Sequence, residues 1–236
     1  MMAPTLCYQL SYPRNSSIRF VWIAKRLVEY VLILGLEFVI WLQYYQPQLD
    51  VLVANIQAGN YTYLGLISSM LELSVPTILM WIGGFYMLFQ VHLNILAELL
   101  RFADRRFYED WWNCRTINEY WRLWNLPVHR WCVRHVYNPL LKKGYSKEIA
   151  NISVFFVSAI GHEYVVSIPL GFLSFFAFLA MMLQAPMQII EMRINKILKI
   201  ENSQLGNVSF WVTVCVVGEP ICIAIYYYLY SLHKSS

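Results

Sequence analysis

Residues 149–190 run for 42 positions with a single formally charged side chain, Glu163. A helix crossing a bilayer needs about 20 consecutive apolar residues, so this run is long enough for two. The expected break is Pro169-Leu170-Gly171, because proline and glycine end helices. The remaining composition agrees. Charged residues are 14% of the chain and apolar residues 58%, against about 25% charged in soluble domains. That balance excludes a disordered segment, a coiled coil and a highly charged nucleic-acid module. It leaves too few charges to cover a soluble surface. The expected class is an all-α, polytopic membrane helix bundle.

Five apolar stretches can be drawn: 27–45, 73–97, 149–168, 172–190 and 208–232. Pro47 is expected to close the first, and Pro76 and Gly83-Gly84 interrupt the second. Lys and Arg concentrate in three connections, 14–26, 98–148 and 193–199, and are missing from 46–72. The positive-inside rule then assigns the three basic connections to the cytoplasm and 46–72 to the other side. Five alternating spans satisfy all four assignments and leave the C-terminus non-cytoplasmic. Asn60-Tyr61-Thr62 is a glycosylation sequon in the non-cytoplasmic connection, used or unused. No basic n-region and apolar h-region opens the chain, so no cleaved secretory leader is expected. The five cysteines form no CxxC pattern, so free buried thiols are expected and neither a disulfide framework nor a metal site.

Two groups of residues stand out. His162-Glu163 is an ionisable pair inside the longest apolar run. Ionisable groups at membrane depth are costly and face a protein interior or a water-filled cavity. A neutral imidazole there can serve as a general base; the alternative is a histidine hydrogen-bonded between helices. Val166 stands where HExxH would require histidine, so the pair is not a zinc motif. Ser158 lies four residues earlier, on the same helix face, and Gln184 falls on the following span. Either residue could instead make an interhelical hydrogen bond.

The second group is Phe107-Tyr108-Glu109-Asp110-Trp111-Trp112-Asn113, two acids among four aromatics. It opens a segment in which Trp121, Trp124, Val128, Trp131 and His135 recur at helical spacing, interleaved with Arg122, Arg130 and Arg134. This pattern reads as an interfacial amphipathic stretch whose cations meet phosphates of a ligand or of lipid headgroups. Pro127 is expected to begin a new helix.

The two groups together resemble the membrane-bound O-acyltransferases, in particular the sterol and diacylglycerol acyltransferase branch. FYEDWWN at 107–113 is similar to that branch's FYxDWWN signature, and HEY at 162–164 to its catalytic-histidine motif. Residues 3–14 and 100–108 also resemble it. Within the branch, NLPVHRWCVRHVYNPLLKKG at 125–144, SIPL at 167–170 and GEP at 218–220 look more like diacylglycerol than sterol acyltransferases. Glu219 departs from the family's usual glutamine. The chain resembles the C-terminal half of a single such domain; members are about twice as long.

The resemblance implies a multi-pass protein of the endoplasmic reticulum membrane. It would transfer a long-chain acyl group from acyl-CoA to diacylglycerol and form triacylglycerol and CoA. His162 would be the general base, and Asn113 would position the thioester or stabilise its oxyanion. Ser158, Glu163, Gln184, Glu219, Trp112, Trp131 and Arg134 are the expected substrate-binding residues. No cofactor is implied, since acyl-CoA is a substrate. The expected partners are membrane lipid and, in a full-length form, further copies of the chain, with no nucleic acid. Two other readings are a sterol O-acyltransferase and a half-length membrane protein without turnover.

Overall fold

A computed structural model describes residues 4–198 and 204–235, and among them it contains helices and no strand. The chain opens with α1 (Phe20–Gln57) and α2 (Tyr63–Leu99). Three short helices follow, α3 (Ile117–Leu123), α4 (Leu126–Cys132) and α5 (Asn138–Lys142). Then come α6 (Lys147–Leu170), α7 (Phe176–Leu198) and α8 (Gln204–Lys234). Among the described residues α1, α2, α6 and α8 are both long and apolar enough to cross a membrane. The fourth expected stretch, 172–190, does form a helix, α7. Gln184, Gln188, Glu191, Arg193 and Lys196 make it more polar than the others. Arg193 and Lys196, expected in a connection, lie inside α7. Lys199, like Ala3 at the other end of the chain, is outside the described residues.

The helices overrun the apolar stretches, because a helix ends where its backbone is capped and not where apolarity stops. Pro47 does not close α1. A π-helical turn at Trp41–Tyr45 precedes it, and the ring falls at the first positions of the resumed α-helix, where its missing N–H matters least. Pro76 is likewise carried within α2. The expected connection 46–72 therefore shrinks to residues 58–62. Thr62 starts α2 by accepting a hydrogen bond from the Gly65 N–H at 3.1 Å, and Asn60 of the sequon is exposed. The break at 169–171 falls where expected: Gly171 caps α6 in the left-handed conformation at φ 75°, its N–H reaching the Ser167 carbonyl at 2.9 Å. An added Cβ there would strain the turn.

The chain divides into two compact units, Met1–Phe107 with Val212–Tyr228, and Tyr108–Trp211 with Leu229–Ser236. The first is cored by Tyr45, Leu49, Leu52, Leu73 and Ala224. Ser74 donates to the Val216 carbonyl at 2.7 Å, and Tyr227 to the Asp50 carboxylate. Its one fully buried carboxylate among the described residues is Glu98. Arg19 grips both oxygens (Nε to Oε1 3.0 Å, Nη2 to Oε2 2.8 Å), Arg105 adds a bond of 2.6 Å, and the Arg19 backbone N–H adds one of 2.9 Å. A buried charge is tolerable only with such complete pairing, and this pairing fastens the start of α1 to the end of α2. Glu219 belongs to this unit, on α8, with its Oε2 buried and without a hydrogen-bond partner among the described residues.

Candidate active site

The second unit holds a cavity lined by the candidate base His162. Its volume is about 370 Å³. One wall comes from α3, α4 and the π-helical turn Val133–Tyr137; it supplies Trp121, Arg122, His129, Cys132 and Tyr137. The other wall is α6 and α7, with Asn151, Ser158, His162 and Gln188. These two helices interlock through Phe155 and Ala159 on α6 against Met181 and Ala185 on α7. The i, i+4 stripes place small residues where the backbones approach. Asn125 starts α4 by accepting from the Val128 N–H at 3.2 Å, with Pro127 in the first turn. That agrees with a new helix beginning at this proline and gives Val128, His129 and Cys132 one common face.

His162 is half-buried in the wall. Its Nδ1 lies 2.8 Å from the Ser158 carbonyl oxygen, one turn earlier, and 3.4 Å from the Ser158 hydroxyl. A carbonyl oxygen can only accept, so at 2.8 Å Nδ1 must carry the proton. The neutral ring then keeps its lone pair on Nε2. Backbone bonding thus selects the tautomer a general base requires. Trp121 stands edge-on to the imidazole, with ring centroids 6.4 Å apart and an interplanar angle of 86°. It fixes the second side of the ring. Across the cavity, burial lowers the His129 pKa from the usual histidine value, and the nearby Arg122 and Arg130 cations lower it further. Both effects favour the neutral imidazole at His129.

Several expected site residues are elsewhere. Glu163 points away from the cavity. Its Oε1 accepts from Ser167 Oγ at 2.8 Å and from the N–H groups of Ser174 (3.2 Å) and Phe175 (2.9 Å), and Oε2 from the Phe178 N–H at 3.1 Å. It is the anionic cap of α7, contributed by the preceding helix, and does not line the cavity. Asn113 ends the 3-10 turn Trp111–Asn113, is exposed, and does not line the cavity. Trp112, 41% exposed, gives its carbonyl to Asn207 Nδ2 (2.8 Å) and Trp211 Nε1 (3.2 Å). The Cys114 carbonyl accepts from Asn207 Nδ2 at 2.8 Å as well. The FYEDWWN signature is thus an anchor onto the start of α8. The approach is so close that a Cβ on Gly206 would stand 2.2 Å from the Arg115 carbonyl oxygen. Trp131 packs on His135 at 5.8 Å, and neither it nor the exposed Arg134 lines the cavity. Gln184 is half-buried outside the lining, and the glutamine that does line it is Gln188, one turn further. The four-residue spacing between the two glutamines was the available signal.

The cysteines are free, four of them buried. Cys132 lines the cavity, but burial raises its thiol pKa, and burial with the Glu119 and Glu191 charges pushes Cys114 up to about 12. Neither is an activated nucleophile, which is a thiolate. Among the described residues no cluster of His, Cys, Asp or Glu could hold a metal ion.

Residues 1–228 match the family model of MBOAT, the membrane-bound O-acyltransferase family. The chain belongs to that family. It is 46% identical over 231 residues to diacylglycerol O-acyltransferase 1 of Corylus americana, 97% of this chain and 41% of that protein. Against diacylglycerol O-acyltransferase 1-1 of Oryza sativa subsp. japonica the identity is 44%, over 97% of this chain and 41% of the relative. Against diacylglycerol O-acyltransferase 1 of Bos taurus it is 38%, over 98% and 45%. The chain thus spans less than half the length of these curated relatives.

Proposed function

We propose that this chain carries the acyl-transfer site of an acyl-CoA-dependent diacylglycerol O-acyltransferase of the endoplasmic reticulum membrane. The supporting observation is His162, whose Nδ1–H is held by the Ser158 carbonyl while the residue lines a cavity shared with Arg122 and His129. The acceptor hydroxyl loses its proton to Nε2 as its oxygen bonds to the thioester carbonyl carbon. The tetrahedral oxyanion collapses, the C–S bond breaks, and the CoA thiolate leaves with the proton from the imidazolium. Proton transfer of this kind contributes about 10²–10⁴ in rate. No acyl-enzyme forms, in keeping with the raised thiol of Cys132. Arg122 and the polar groups of α3 and α4 receive the charged CoA from the cytoplasmic side, and the acceptor arrives from the bilayer.

The experiment is acyl transfer from labelled acyl-CoA in microsomes devoid of their own neutral-lipid acyltransferases. Transfer to diacylglycerol above the vector control, and above transfer to cholesterol, is the expected result. Preference for cholesterol would favour the sterol reading. The coverage of under half of each relative favours a second reading, an associating chain without turnover. Activity that appears only when the remainder of a full-length relative is co-expressed would support that reading. The topology has its own test. An epitope at position 55 should resist protease in sealed microsomes, and a tag within residues 98–148 should be digested; the reverse pattern would overturn the orientation.

A further inference from the structure

The cavity contains a group that proton transfer does not use. Gln188 follows Met181 and Ala185 on the α7 stripe that packs against α6, and it lines the cavity with Ser158 and His162 while only 5% exposed. Its amide makes no hydrogen bond to another described residue and opens onto the cavity. The facing wall carries a further unpaired polar group, this one enclosed. The indole Nε1 of Trp121 is buried and without a partner, in the ring that stands edge-on to His162. Buried donors and acceptors are costly to leave unpaired. A passage serving only a hydroxyl and hydrocarbon would need the imidazole and apolar walls. This one adds Gln188 to the Arg122, His129, Tyr137, Asn151 and Ser158 already in its walls, so its ligands bring oxygen functions besides the hydroxyl.

We propose that Gln188 is a specificity-determining residue: its amide N–H donates to an ester carbonyl of the acyl acceptor, so that the cavity selects an alcohol with a neighbouring ester over a simple long-chain alcohol. The inference rests on the acyl-transfer reading of the same cavity and adds the feature of the acceptor that is recognised. A diacylglycerol has two ester carbonyls within a few bonds of its hydroxyl; a long-chain alcohol or a sterol has none. Selection follows from the penalty on the wrong ligand, because an acceptor without the carbonyl displaces water from the Gln188 amide and leaves it unpaired. Gln188 makes and breaks no bond in the transfer.

The test uses binding, which does not depend on turnover. The purified full chain in nanodiscs is photolabelled with a diazirine-bearing diacylglycerol, with unlabelled dioleoylglycerol or oleyl alcohol as competitor. Dioleoylglycerol should compete about 10-fold or more better than oleyl alcohol. Gln188→Leu and Gln188→Met, each checked for folding by detergent size-exclusion, should lose that preference, and Gln188→Asn should keep part of it. His162→Ala should keep it in full, since the imidazole acts on the proton and not on the ester. If both apolar variants retain the preference of the unmodified chain, the role of Gln188 is overturned while the acceptor site stands. If the unmodified chain is not labelled within α6 or α7, the cavity is not an acceptor site, and the acyl-transfer reading falls with it.

Discussion

His162→Ala is expected to lower acyl transfer by about 10²-fold or more while leaving acyl-CoA affinity within about twofold. The difference arises because the imidazole meets the reacting hydroxyl, and its one backbone bond is to its own helix at Ser158. His129→Ala should do the opposite, weakening acyl-CoA binding more than the chemical step. His129 lies across the cavity beside Arg122, and burial together with that charge favours its neutral form. His135, on the same short helical segment, stacks on Trp131 and lies outside the cavity lining, so His135→Ala should change neither quantity. His92 faces the Tyr30 ring at 6.3 Å and serves packing. The measurement is turnover per folded molecule alongside equilibrium acyl-CoA binding for all four variants. A folded His162→Ala protein with near-normal turnover would remove the catalytic assignment.

What could be read ahead of the structure depended on local signals. The Pro169-Leu170-Gly171 break, the helix start at Pro127 and the Ser158–His162 register all follow from spacing within one helix or turn. The expectations that the structure places elsewhere share a different cause. Pro47 looks like a terminator because its effect on a regular α-helix is disruptive, but a π-helical turn immediately before it takes up the distortion. Glu163 looks like a substrate contact because an intramembrane carboxylate is functional by default. Its partners, the N–H groups of 174, 175 and 178, are reached only once the chain has turned back at Gly171. The FYEDWWN signature points to the active site by family resemblance, yet its carbonyls are fixed by Asn207 and Trp211, almost a hundred residues away. Gln188 was missed because a polar residue near the end of an expected span resembles the edge of a membrane segment. Only the stripe shared with Met181 and Ala185 reveals it as buried wall.

Glu163→Ala should be among the most destabilising single substitutions in the second unit, and it should act on folding and not on chemistry. The carboxylate receives four hydrogen bonds, one from Ser167 and three from backbone N–H groups at the start of α7. Those backbone donors have no intrahelical acceptor. The same bonds hold Phe175 in the left-handed region at φ 59°, a conformation disfavoured for a residue with a bulky side chain. Removing the anion leaves buried donors unpaired at about 1–3 kcal/mol and forfeits the favourable charge at the helix N-terminus. A loss of about 3 kcal/mol or more is expected, lowering Tm by roughly 6–12 °C for a chain of this size. Glu163→Gln keeps one acceptor oxygen and turns an N–H₂ group toward donors, so it should fall between Ala and the unmodified chain. Activity measured per folded molecule separates this role from catalysis. Both Glu163 variants should retain turnover within a few-fold at low temperature and lose it at temperatures where the unmodified chain is stable. A Glu163→Gln protein with unchanged Tm and abolished turnover would return this carboxylate to the reaction, and α7 would then need another anion at its N-terminus.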